Sequence, residues 1–280
     1  MKKILFSFVG LLLLSFSAHS QWLYSYEDAQ KVAKATGKLM MIDFTASWCG
    51  PCKAMESEVW SDKSVMVNMD KMVMVKVDID YNKSVASQFN VQAIPNIVVA
   101  TPDGNSFQQE VGYQSISTIN KMLTSYPTDM NQVYAILFSS SKGSDSSLLA
   151  LGDAYLNVAK NAPEASKSRL LALSESSYKK ACKMGEKVGH ATIRDLAKLR
   201  TISIFVEKGK PQKAVEALNR EVKVEELCAE AKPEVAALYM RAYIALNNKE
   251  EAKKYLQQLK EDSNAVTIIE RYQDEIKRLN

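Results

Sequence analysis

Two cysteines carry the chemistry most legible in this chain: Cys49 and Cys52, within the run Trp48-Cys49-Gly50-Pro51-Cys52-Lys53. A close pair of thiols exchanges electrons with other thiols and disulfides, provided that one sulfur is a thiolate. The neighbouring residues supply that condition. The apolar run Leu39–Phe44 reads as a buried strand, and Lys53 to Val59 continues as a helix. Cys49 therefore falls at a helix N-terminus, where unpaired backbone N–H groups and the positive end of the dipole favour the thiolate. Cys52, one turn on, can reach the same sulfur and resolve a mixed disulfide. Pro51 lies in the first turn, where its missing N–H costs little. A purely structural staple is a poor reading, because so short a loop contributes little entropy.

The remaining two cysteines, Cys182 and Cys228, stand far from the first pair and from each other. Cys182 reads as part of a helix from Leu170 to Lys187, and Cys228 as part of the helix following Val222. They are either buried small hydrophobes or a disulfide joining two helices. The second would close a loop of about 45 residues and stabilise by about 3 to 4 kcal/mol. A zinc site needs a further ligand pair at short spacing, and neither His19 nor His190 supplies one. No metal and no cofactor is expected.

The elements that hold the first pair read as an α/β unit. Glu27 to Thr36 is a short amphipathic helix ending at Gly37. Leu39–Phe44, Met72–Val77 and Ile97–Ala100 are strands, and Pro102-Asp103-Gly104-Asn105 turns the chain into a hairpin partner, Phe107–Val111. Ser117 to Ser125 closes with a helix. Strands alternating with helices indicate a mixed sheet. The stretch Ser139–Ser147 reads as a small polar linker, and beyond it helix formers dominate. There, Leu151, Gly152 and Tyr155, then Phe205, Gly209, Ala214 and Leu218, then Tyr243, Ala252 and Leu256 suggest helix-turn-helix units. Ala214 and Ala252 lie 38 residues apart. That is near the roughly 34-residue period of tetratricopeptide repeats, although an ordinary helical bundle has the same periodicity.

Export is the expected setting. Lys2 and Lys3 precede an apolar run from Ile4 to Phe16, and Ala18-His19-Ser20 offers a cleavage site. The alternative is an uncleaved anchor, but the run is shorter than the roughly 20 residues a bilayer requires. The expected organisation is a signal peptide over 1–20, an α/β domain over 21–126, a connecting helix and linker over 127–147, and a helical repeat-like domain over 148–280. The expected location is periplasmic or secreted, with no membrane insertion after cleavage. Without Lys2 and Lys3 the charge balance is 34 basic against 32 acidic residues, too even to argue for nucleic acid or anionic lipid as a partner.

Over roughly residues 25 to 125 the chain resembles the thioredoxin family. Residues 48–53 match that family's Trp-Cys-Gly-Pro-Cys-Lys run, Asp43 stands six residues before the first cysteine, and Ile94-Pro95 occupies the place of its cis-proline. Lys76 stands where the lysine that pairs with the buried Asp is found, and Gly104 and Gly112 match family glycines. The resemblance implies a thioredoxin-like fold and roles for these residues. Asp43, desolvated in an apolar strand, would relay a proton to and from Cys52, or else be a buried Asp satisfied by Lys76. Pro95 would leave a bare backbone edge beside the sulfurs, so that Ile94 could pair with an extended substrate, with Gly112 close by. Trp48 would form either an apolar rim of the site or a plain core aromatic. Asn96, where cytosolic thioredoxins usually have Thr, is a departure. Met55–Asp62 is similar to the C-terminal domain of the DsbD membrane reductant carrier and its exported relatives.

Two functions follow from this reading. One is a protein-disulfide reductase: the Gly-Pro pair between the cysteines is that of reductants in the resembling family. Its partners would be oxidised or thiol-containing exported proteins and a membrane-bound electron donor. The other is a redox-sensitive interaction scaffold in which the helical domain is the working part.

Overall fold

The computed structural model describes residues 22–279. The expected signal segment, residues 1–20, lies outside them. Helix α1 (Tyr26–Thr36) begins where Ser25 Oγ accepts the Asp28 N–H, carries Glu27 and Asp28 in its first turn, and ends at Gly37 in the left-handed conformation. Strand β1 (Met40–Thr45) follows, then α2 (Gly50–Glu58), α3 (Lys63–Met66), β2 (Val73–Asp78), α4 (Lys83–Gln88), β3 (Asn96–Ala100), β4 (Ser106–Val111) and α5 (Ile116–Thr124).

The sheet order is β2-β1-β3-β4, with β1 parallel to β2 and antiparallel to β3, and with β3 antiparallel to β4. As the central strand, β1 is covered on both faces, which is why it reads as an unbroken apolar run. Met40, Ile42 and Phe44 pack with Tyr26, Ala29 and Phe89 on one face. Met41 packs with Met55, Ile119 and Met122 on the other. Asp43 shares the second face by strand alternation and is the polar exception in β1's buried run.

Helix α6 (Asn131–Leu137) docks beside α1: Met130 N–H donates to Gly37 O at 2.7 Å and Tyr134 Oη donates to Lys38 O at 3.0 Å. Then come α7 (Asp145–Asn161), α8 (Glu164–Val188), α9 (Ala191–Glu207), α10 (Pro211–Glu221), α11 (Lys232–Ala245), α12 (Lys249–Glu261), α13 (Val266–Arg271) and α14 (Gln273–Ile276). The polar run expected as a linker is partly helix. Asp145–Ser147 form the first turn of α7, and Ser144 Oγ accepts the Ser147 N–H at 3.1 Å. Its serines thus serve as capping chemistry, which composition alone does not distinguish from a loop. One hydrophobic cluster runs from Met41 and Met74 through Tyr126 and Tyr134 to Tyr155, Leu170 and Tyr178. The α/β part and the first helical pair therefore share a core.

Gly152 shows how close that pair packs. A Cβ there would sit 2.3 Å from a ring carbon of Tyr178, which is fully buried and donates its hydroxyl to Asp153 at 2.7 Å. Gly152→Ala is therefore expected to destabilise the protein by about 1–3 kcal/mol, against the helix-propensity gain. A thermal melt no lower than that of the unaltered chain would contradict this.

The helical pairs α9/α10 and α11/α12 turn at Gly209 and Asn247, both at positive φ. Ala214 and Ala252 are buried at equivalent places behind those turns. Two expectations about cysteines are corrected. Cys228 lies in the turn between α10 and α11, not in a helix, and its N–H donates to Asp195 Oδ2 at 2.9 Å. Cys182 and Cys228 are both free thiols, so the helix-joining disulfide is not formed. Cys182, on α8, donates toward Glu186 on its own helix, whereas Cys228 is held to α9 by its backbone. Among the described residues no helix is long and apolar enough to cross a membrane.

Candidate active site

Cys49 and Cys52 are joined by a disulfide at the start of α2. The helix begins at Gly50 with Cys49 as its N-cap and Pro51 in its first turn, as the sequence indicates. The whole Cys-x-x-Cys run is thus the first turn. Cys49 Sγ accepts the Cys52 N–H at 3.2 Å, so the sulfur itself takes the place of a capping oxygen. No acidic side chain lies in the first turn to compete with a thiolate there. Both cysteines are nearly buried, at 3% and 8% exposure, among Ala46, Ile79 and Ile94.

The peptide bond between Ile94 and Pro95 is cis. Pro95 O accepts the Gly112 N–H at 2.8 Å, which ties the proline to the end of β4. Gly112 has φ +86° and open space around its would-be Cβ, so backbone conformation and not crowding explains the glycine. Among the described residues, neither the N–H nor the C=O of Ile94 takes a backbone partner, leaving an edge beside the disulfide for an extended chain. The adjacent Asn96 is buried, and both polar atoms of its amide lack partners among the described residues.

Trp48 is a rim residue: it is 64% exposed and its indole N–H donates to Asp80 Oδ2 at 2.9 Å. That rules out the core-aromatic alternative. Asp80 was not singled out in the sequence, where nothing separates it from any other loop Asp after β2.

Asp43 is 5% exposed. Burial pushes its carboxyl up to about 7, with Lys76 opposing the shift and Glu56 adding to it. Asp43 and Lys76 are register partners across β1 and β2, as the resemblance implies. Their expected ion pair is not the one formed, however: the Lys76 ammonium pairs with Glu56 of α2. Glu56 lies four residues after Cys52, on the same helix face, and that spacing is the signal by which the sequence could have shown it. The Trp60 indole, also buried at this end of α2, opposes the shift as Lys76 does. Glu56→Gln is expected to lower the Asp43 pKa, since it removes a like charge and frees Lys76 to turn toward Asp43. A carboxyl titration by NMR checks this, and an unchanged or raised value would refute it.

A thiolate-stabilising helix start, a second thiol one turn on and a buried carboxyl that titrates near neutrality define a thiol–disulfide oxidoreductase. Comparison with known proteins agrees. Residues 24–125 match the family described as thioredoxin. A thioredoxin H-type from Fagopyrum esculentum is 36% identical over 101 residues, covering 36% of this chain and 83% of that protein. A thioredoxin H-type from Oryza sativa subsp. indica is 41% identical over 86 residues, 30% of this chain and 67% of that one. Among solved structures, thioredoxin NaTrxh from Nicotiana alata is 29% identical, covers 39% of this chain and 96% of its own, and superposes with a TM-score of 0.32. Through residues 24–125, this chain belongs to the thioredoxin family.

Proposed function

We propose that the protein works outside the cytoplasm, reducing or exchanging disulfides of exported proteins. The observation that carries the reading is Cys49 at the N-cap of α2, flanked by the open Ile94 edge and backed by Asp43. The Cys49 thiolate attacks a substrate disulfide, forming a mixed disulfide and releasing one substrate thiolate. Cys52 then gives its proton to Asp43 and attacks Cys49 Sγ. The second substrate thiolate leaves, and the Cys49–Cys52 disulfide remains. Two electrons have passed to the substrate. Ile94 and Pro95 present the substrate chain, and Trp48 and Gly112 border it. Lys76 acts through its field on Asp43.

The signal-like run over 1–20 supports export, with a mature chain starting at Gln21. The likeness of Met55–Asp62 to the DsbD C-terminal domain supports a membrane-bound donor that returns the dithiol to its reduced state. The pairs α9/α10 and α11/α12, whose turns lie 38 residues apart, support a tetratricopeptide-like reading of the helical half as the part that selects partners. The test is trapping with Cys52→Ala, which leaves Cys49 to attack and nothing to resolve. Mixed disulfides with exported proteins are expected. Failure to form any, under conditions where a control thioredoxin does, would refute the reading. Fractionation and N-terminal sequencing of the mature protein check its location.

A further inference from the structure

Trp22 and Leu23, ahead of α1, extend the sheet beyond the outer edge of β2. Leu23 bridges Val75 in parallel: its N–H donates to Met74 O at 2.9 Å, and its carbonyl accepts the Lys76 N–H at 2.9 Å. The Trp22 ring meets Trp60 edge to face at 5.0 Å, and the Lys76 ammonium lies 4.7 Å from the Trp22 ring centroid. The lysine is thus held twice by this segment, at its backbone by Leu23 and at its ammonium by the Trp22 face. Its side chain is only 11% exposed, so the ring also screens it from water.

This arrangement answers why Lys76 pairs with Glu56. A four-methylene stem opposite Asp43 is long enough to serve either carboxylate, and an ion pair with a buried carboxyl would be the stronger one. A cation over an indole face gains about 0.5–2 kcal/mol, enough to select between two such positions. We propose that Trp22 is a positioning residue for proton exchange at Asp43: it holds the Lys76 ammonium against Glu56 and screens that side of Asp43 from water. This rests on the reading of Asp43 as the proton carrier. The groups that act on Asp43 are Lys76 from β2, Glu56 from α2 and the Trp60 indole; β3 presents the apolar Ile97.

Removing the ring acts twice in one direction. Lys76 becomes free to approach Asp43, and water enters beside it; both favour the carboxylate. The experiment follows the Asp43 carboxyl by carbon NMR across pH in the oxidised full chain, where Cys52 does not titrate. Trp22→Ala is expected to lower the titration midpoint by about one unit or more, and Trp22→Phe to restore most of it. In a Lys76→Met background, the same Trp22→Ala change is expected to have less than half that effect, the double-mutant signature of action through the lysine. An unshifted midpoint in Trp22→Ala would overturn the proposal. So would an equal shift with and without Lys76, since the ring would then act by hydration alone. Should Trp22→Ala fail to fold, Trp22→Leu, which keeps an apolar cover without an aromatic face, carries the same test. A shifted midpoint with no change in the pH dependence of disulfide reduction would instead refute Asp43 as the proton carrier and leave the positioning role standing.

Discussion

Cys49→Ser is expected to bring disulfide reduction down to background, a loss of at least about 10³-fold, with the fold intact. A serine hydroxyl at the same N-cap keeps the capping hydrogen bond that Cys49 Sγ now accepts from Cys52 N–H. It cannot act as a nucleophile toward sulfur, because the hydroxyl stays protonated where the thiol would ionise. Insulin reduction with a supplied reductant measures the effect, and a melt confirms the fold. Equal turnover by the variant and the unaltered chain would sink the enzyme reading and leave the scaffold as the function to pursue. Cys52→Ala is expected to differ in kind: it reacts once and stalls. The contrast assigns attack to one sulfur and resolution to the other.

The second large effect is at Asp43, and it runs in opposite directions for activity and stability. On the proposed mechanism Asp43→Asn removes the acceptor for the Cys52 proton, and reduction is expected to slow by about 10²-fold, the low end for general-base catalysis, since water can still take the proton. The loss is greatest above pH 7, where Asp43 is ionised in the unaltered chain. Stability changes the other way. A carboxyl held at about 7 in the folded chain, against about 3.9 for an exposed Asp, binds its proton more tightly folded than unfolded. The native state therefore loses stability as pH rises from about 4 to 7, by about 4 kcal/mol in all, and the deficit persists above that. Asp43→Asn, neutral throughout, is expected to be the more stable chain at pH 8, with its advantage gone near pH 4. Denaturant titrations at the two pH values test this. A variant less stable at pH 8 than at pH 4, in parallel with the unaltered chain, would show that Asp43 is not the source.

Opposed effects on rate and stability are what a functional group in an apolar strand produces. Strand β1 buries five of its six residues, Asp43 among them, and a fifth apolar residue in its place would fold better. Lys76 relieves the burden only in part, since its ammonium pairs with Glu56, whose charge adds to it.

By itself, the sequence determined the dithiol, the helix that starts at it and the strands around it, and the family resemblance marked the place of the cis-proline. These are local signals: apolar runs of strand length, a Gly at a helix end, a proline and two thiols at fixed spacing. It also determined that Asp43 would be buried, because a charged residue inside a two-sided apolar run has nowhere else to go. Only the tertiary structure decided which partner Lys76 takes, that Trp22 covers it, that Asp80 anchors the Trp48 rim and that Cys182 and Cys228 remain apart. Each of those depends on how far a side chain reaches across elements distant in the chain, and a choice between two carboxylates is settled by packing that no spacing encodes. The serines before α7 misled for the same reason: a loop and a helix cap use the same residues, and the core that Tyr155 and Tyr178 share with the sheet tells them apart. The dithiol was legible because its chemistry is local; the surroundings of Asp43 were not, because they are built from four separate elements.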